Sequence, residues 1–311
     1  MAVLIFVAIV VALIGGTLIG ARLIESNNPP SGRFVDVEGG RLHVVELGPA
    51  AAPPVLLLHG ASGNLLDMKL ALGDALSSRY RVILVDRPGH GWSDRPGGAA
   101  DASPAAQAAL IHQALAKLGV RAPVVVGHSW SGALATAYAL AYPADISGLV
   151  LLAPVTHRWP GGIGAINHIV ATPVIGPLLA YTLIMPTGYF LIDSGIRGVF
   201  APQSPPPDYD AKTAVTMLLR PREFIANARD LDGLKEFVTR QMPRYPEIKV
   251  PVAIVAGDAD PVVYTDIHSR ALERQIPQAT LTVLPGVGHM VHSIARDDVV
   301  AVIDGVVAVP R

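Results

Sequence analysis

The chain has 311 residues, with 24 Lys+Arg against 25 Asp+Glu and a net charge of −1, so it carries no broad basic surface for nucleic acid. Hydrophobic residues make up 51% and charged residues 16%, against about 25% charged in an average domain, which excludes disorder as a description of the whole chain. It contains no cysteine, which excludes disulfides, thiolate metal sites and a cysteine nucleophile.

Ala2 to Ala21 holds no ionisable side chain. At about 1.5 Å per helical residue such a run reaches roughly 30 Å, the thickness of a bilayer's hydrocarbon core. Residues 1–24 therefore read as a single-pass membrane anchor, with Gly16 and Gly20 at the spacing of a helix-packing face. Two alternatives stand beside it: a cleaved signal peptide, leaving a secreted or periplasmic protein, and a buried core helix. Against the signal, no Lys or Arg precedes the run, and Ile19 would occupy the −3 position for cleavage after Ala21. Arg22 and Arg33 favour a cytoplasmic side for the residues beyond the anchor, Glu25 offsets them, and the side stays undetermined. Residues 25–32 are a polar linker containing Pro29 and Pro30.

From Arg33 strands alternate with helices. Phe34–Val37 and Leu42–Val45 around Gly39-Gly40 predict a β-hairpin. Val55–Leu58, Val82–Val85, Val124–Val126, Leu149–Leu152, Val252–Val255 and Leu281–Leu284 are short strand-like runs, mostly continuous apolar as in strands buried on both faces. Leu65–Leu76 has helical period, Ser103-Pro104 opens a helix reaching about Leu118, and Arg296–Val307 is the last helix. The class is α/β, with a mainly parallel sheet covered on both faces. Residues 33–154 and 250–311 form the core, and 155–249, rich in Pro and Gly with no clean strand, an inserted helical cap. From Trp159 to Ile192 the cap has no Asp, Glu, Lys or Arg, while Pro173, Pro177 and Pro186 are expected to interrupt any long helix there. Short apolar helices covering a pocket, or resting on a bilayer, are expected.

The chemistry points to Val124-Val125-Val126-Gly127-His128-Ser129-Trp130-Ser131-Gly132, a buried strand running into Gly-x-Ser and then an Ala-rich helix. That is the setting of a nucleophile elbow, in which the serine takes a strained turn between small neighbours. Ser131 stands where a glycine is usual and is small enough to be tolerated. A serine hydroxyl needs a general base, held in its tautomer by a carboxylate. His289 lies in a Gly-rich loop after the last strand, at the carboxyl edge where open α/β sheets bind ligands. Asp260 lies on the loop after Val252–Val255 and is preferred to Asp258, which reads as a turn former. The loop after Leu149–Leu152 offers no acid. Two backbone N–H donors must face the developing oxyanion: Trp130 supplies one, and Ala61, with Ser62 as the alternative, the other. His59 then braces its loop. His128 reads as a satisfied structural histidine.

The order Ser129…Asp260…His289, with His59-Gly60, Asp86-Arg87-Pro88-Gly89-His90-Gly91-Trp92-Ser93, Gly257-Asp258-Ala259-Asp260 and Gly288-His289, resembles the α/β-hydrolase superfamily in its capped group. The resemblance covers about residues 33–309. It implies an α/β-hydrolase fold, a serine nucleophile, a structural role for the Asp86–Ser93 loop, and no cofactor. The leading reading is a serine esterase, lipase-like, acting on a small molecule with an apolar acyl group. Alternatives are a C–C bond hydrolase, an amidase or a haloperoxidase-like enzyme on the same three residues, or a non-catalytic accessory protein of this fold. His292, one turn from His289, and Trp159, where the cap begins, are candidates to line the pocket; polar surface and packing are the plainer roles. No metal is expected, since His289 and His292 have i,i+3 spacing but no nearby acid or third histidine to complete a ligand set. His43, His112 and His268 are assigned packing or solvent roles.

Overall fold

The computed structural model describes residues 1–309. Strands β1 (Arg33–Val37), β2 (Gly40–Leu47), β3 (Pro54–Leu58), β4 (Arg81–Val85), β5 (Val124–His128), β6 (Gly148–Leu152), β7 (Val252–Gly257) and β8 (Ala279–Leu284) form one sheet in the order β1-β2-β4-β3-β5-β6-β7-β8. The β1–β2 hairpin is antiparallel and pairs antiparallel with β4; from β4 to β8 every pairing is parallel. This is the architecture that the alternating pattern predicts.

The continuous apolar runs reflect burial on both faces. With side chains alternating at period two, Leu56, Leu58, Val125, Leu149, Leu151 and Ile254 face one core. Val55, Leu57, Val124, Val126, Val150 and Val255 face the other. Helices Pro104–Lys117 and Ser131–Ala141 cover the first, and a helical stretch over 65–77 with helix Arg296–Val307 covers the second. Ser103 sits at the N-cap of its helix, as the sequence indicates, but its side chain makes no capping bond.

Between β6 and β7 the chain is helical and contains no strand. One expectation fails here. Ile175–Phe200 is helical over 26 residues despite Pro177 and Pro186. Pro177 lies in the first turn, where no intrahelical N–H is needed, and a widened π-type turn over Ala180–Ile184 absorbs the ring of Pro186.

Helix Pro221–Gln241 binds this region to the sheet. Leu234 and Val238 belong to the main core, and Gln241 donates to Ala133 O and Thr136 Oγ1. Its Asp230 is fully buried and accepts from Arg87 Nη1 at 2.7 Å, Arg95 Nη2 at 2.7 Å and Gln107 Nε2 at 3.0 Å, with His90 Nε2 at 2.9 Å. Burial alone would raise the Asp230 carboxyl; the His90 hydrogen bond and the two guanidinium groups outweigh it and hold it well below the usual carboxylate range. Removing one member of such a set strands buried charge, so Asp230→Ala should cost about 3–5 kcal/mol in urea denaturation. A loss under about 1 kcal/mol would show that the cluster does not hold this helix to the sheet.

Candidate active site

The loops after β3, β5, β7 and β8 leave the same rim of the parallel sheet, which brings together residues far apart in sequence. Ser129, one residue past β5, has φ of 53°, a left-handed conformation that costs a non-glycine residue about 1–3 kcal/mol. Three backbone bonds hold it there: its N–H donates to Leu152 O, and its carbonyl accepts from Gly132 and Val155 N–H, each at 2.9 Å. The turn needs Gly127, because a Cβ there would lie 2.5 Å from the Ser131 carbonyl oxygen. Ser131 does more than fit. Its hydroxyl donates to His59 O at 2.5 Å, tying the turn to the loop after β3, a role that side-chain size alone did not reveal.

His289 Nε2 lies 2.9 Å from Ser129 Oγ, and its Nδ1 lies 2.8 Å from Asp260 Oδ2. The second carboxylate oxygen of Asp260 accepts from Val262 N–H at 2.7 Å and Val263 N–H at 2.9 Å, so the acid is oriented from both ends. These contacts place the proton on Nδ1 and leave Nε2 to accept from the serine hydroxyl. All three residues are buried. Asp258 is exposed and accepts from Gly286 N–H at 2.6 Å, as a turn former should.

Among the described residues, neither Ala61 nor Trp130 N–H has a protein acceptor, whereas Ser62 N–H donates to Asn227 Oδ1 at 2.7 Å. Asn227 Nδ2 also donates to Ser62 Oγ at 3.1 Å. Trp130 is fixed through its ring: Nε1 donates to Asp230 O at 3.0 Å, and the Arg87 guanidinium sits 4.0 Å over the indole. His59 is buried and accepts from Arg87 N–H through Nε2 at 3.0 Å, the bracing role assigned to it. In the Asp86–Ser93 loop, Asp86 accepts from Leu65 and Trp92 N–H and pairs with His43 at 2.7 Å.

Trp159 lines the cavity above Ser129. His292 does not, and is not polar surface either. It is fully buried, with Nε2 at 3.0 Å from Asp67 Oδ2, while Tyr209 donates to Asp67 Oδ1 at 2.9 Å. The expectation that no acid or third histidine stands near it is thereby overturned, because Asp67 and His128 reach it from remote elements. Donor atoms of Asp67, His128 and His292 lie within 4.8 Å of one another, a set of the right kind for a divalent cation. Nor is His128 satisfied: its Nδ1 is buried without a hydrogen-bond partner. His43 and His268 are buried and bonded, and His112 stacks on Tyr142 at 3.8 Å.

The cavity holds about 770 Å³ and is walled mostly by apolar side chains, among them Ile163, Ile184, Ile196, Val199, Leu219 and Leu234. Its size suits a ligand of drug-like dimensions or larger.

This chain is an α/β protein with a serine, a histidine and an acid at the carboxyl rim of its sheet. It belongs to the α/β hydrolase family, whose model matches residues 55–302. The magnesium-chelatase 30 kDa subunit of Rhodobacter capsulatus is 29% identical, covering 82% of this chain and 86% of that one. Lipase 1 of Psychrobacter immobilis is 30% identical, over 84% and 78%. A 2-hydroxy-6-oxononadienedioate/2-hydroxy-6-oxononatrienedioate hydrolase of Paraburkholderia phymatum is 30% identical, over 83% and 88%. Among solved structures, an α/β hydrolase fold protein of Burkholderia ambifaria matches with a TM-score of 0.73 and 25% identity, over 88% of this chain and 97% of that one.

The buried histidines set a pH dependence. Burial, then Arg87, pushes His90 down to about 4; burial, then His157, does the same to His268. His59 and His128 are also held well below the ordinary value, by burial first and then by Arg87 and His292 respectively. The unfolded chain protonates them near pH 6.5. Below that pH it binds protons the folded state refuses, so stability falls as pH falls, approaching about 1.4 kcal/mol per pH unit for each histidine. His43 opposes the trend: burial lowers it, but the Asp86 bond and charge win and raise it, so its contribution fades as pH rises. The urea midpoint should therefore drop between pH 7 and pH 5. An unchanged midpoint would contradict the neutral burial of these rings.

Proposed function

We propose that the protein is a serine hydrolase of carboxylic esters with an apolar acyl group. The observation that carries this reading is the hydrogen-bonded chain Ser129–His289–Asp260 opening into the apolar cavity. Ser129 Oγ attacks the ester carbonyl while His289 Nε2 takes its proton; Asp260 keeps the other proton on Nδ1 and stabilises the imidazolium. The N–H groups of Ala61 and Trp130 stabilise the oxyanion, which is worth about 3–4 kcal/mol per donor in comparable sites. The alcohol leaves with the proton from His289, and water then attacks the acyl-enzyme by the same route in reverse.

The lipase relative supports an ester, and the Paraburkholderia relative keeps a different hydrolytic substrate as the second reading. The Rhodobacter relative, named as a subunit, favours the accessory reading. In the preferred reading residues 1–24 anchor the protein in a membrane, and 155–249 act as the cap that selects the substrate.

A fluorophosphonate probe should label the wild-type chain and not Ser129→Ala, and the substitution should lower kcat by about 10⁴–10⁶-fold. Folded wild-type protein that takes no label would favour the accessory reading. Across p-nitrophenyl esters, kcat/KM should rise beyond the acetyl ester; a maximum at acetyl with sharp loss thereafter would defeat the apolar-acyl part alone.

A further inference from the structure

Two exposed apolar surfaces in this molecule belong to elements that pack on each other. The N-terminal helix Ala2–Asn27 lies along the cap and packs on it by one face: Thr17 and Ile24 are buried, and Ile24 clusters with Met185, Ala214, Met217 and Leu219. A Cβ on Gly20 would stand 2.5 Å from Met185 Sδ, so the small residue permits the close approach. Glu25 pairs at 3.0 Å with the buried Arg220, which fixes the end of the helix to the cap. The rest of the helix, from Val3 to Leu23, presents bare Leu, Ile, Val and Phe side chains.

The cap helix on which it packs is itself exposed and apolar. Phe190 is 87% exposed, Leu191 62%, Ile175 55% and Leu178 52%, on a stretch with no charged side chain from Trp159 to Ile192. Patches of this kind mark an interaction surface rather than ordinary solvent exposure. The helix that packs on Met185 cannot enter a bilayer without carrying the adjoining cap helix Ile175–Phe200 to the same interface. Ile166 and Leu191 are at once exposed on this face and part of the cavity wall, so the cavity opens beside it.

We propose that the face built from helices Ala165–Ala171 and Ile175–Phe200 is seated in the bilayer leaflet entered by the N-terminal helix, and that the cavity takes its substrate from that leaflet. The substrate class is then a membrane-resident amphiphilic ester, its acyl chain drawn past Ile166 and Leu191 towards Ser129. The identity of the reaction rests on the ester-hydrolase reading above; the seating of the cap does not.

Because the chain has no cysteine, one introduced cysteine labels one site. Full-length protein carrying Phe190→Cys or Leu178→Cys, labelled with an environment-sensitive fluorophore and reconstituted in phosphatidylcholine vesicles, should emit to the blue and be quenched by nitroxide-bearing phospholipid. Lys117→Cys, exposed at the end of core helix Pro104–Lys117, should do neither. Labels at 190 and 178 that emit like the one at 117 would overturn the proposal. So would quenching by nitroxide on a second copy of the chain but not by lipid, which would make the face a dimer contact. As the kinetic arm, Phe190→Asp with Leu178→Asp should slow hydrolysis of a long-chain ester dispersed in vesicles at least tenfold and leave p-nitrophenyl acetate turnover within twofold. Equal loss on both substrates would contradict uptake from the membrane. If the wild type turns over neither ester, the hydrolase reading and membrane uptake of an ester fall together, while the fluorescence still decides whether the cap is seated.

Discussion

A left-handed turn at Ser129 is the constraint on which the site depends. With φ of 53° the chain reverses between β5 and the helix Ser131–Ala141, so Oγ stands clear of the backbone and faces His289. The same reversal frees the N–H of Trp130. The strain is met by bonds to Leu152 of the neighbouring strand β6, Gly132 of the next helix and Val155 of the loop after β6. The site is therefore fixed by the sheet, and loops supply only the final side chains.

Helix Pro221–Gln241 gives that arrangement its second support. Asn227, Asp230 and Gln241 recur at helical spacing on one face, and each bonds to a different part of the core: the loop after β3, the Asp86–Ser93 loop with Trp130, and the helix after the elbow. A displacement of this helix would shift the loop carrying Ala61 and the ring of Trp130 together. The helical region between β6 and β7 is thus tied to the site through the hydrogen bonds of this one helix.

Much of the fold was legible because buried parallel strands leave continuous apolar runs, and strand ends say where loops gather. That reasoning placed Ser129, Asp260 and His289 on loops at one rim. Pairings across long sequence distances were not legible. Asp230 meets Arg87 across 143 positions and His292 meets Asp67 across 225, and neither has a local pattern that names its partner. His292 was read from its spacing to His289 alone, which told nothing of Asp67. The prolines of Ile175–Phe200 misled because a widened turn can absorb a ring that an ideal α-helix cannot.

The proposed catalysis depends on an alcohol activated by an imidazole whose tautomer an acid maintains, and Asp260→Asn tests that dependence most directly. The amide keeps the shape of the carboxylate while removing its charge and its hold on the Nδ1 proton. Steady-state hydrolysis of a p-nitrophenyl ester by this variant should show kcat lowered by about 10⁴-fold with KM little changed and the fold intact. A kcat within tenfold of the wild type would contradict a catalytic role for Asp260.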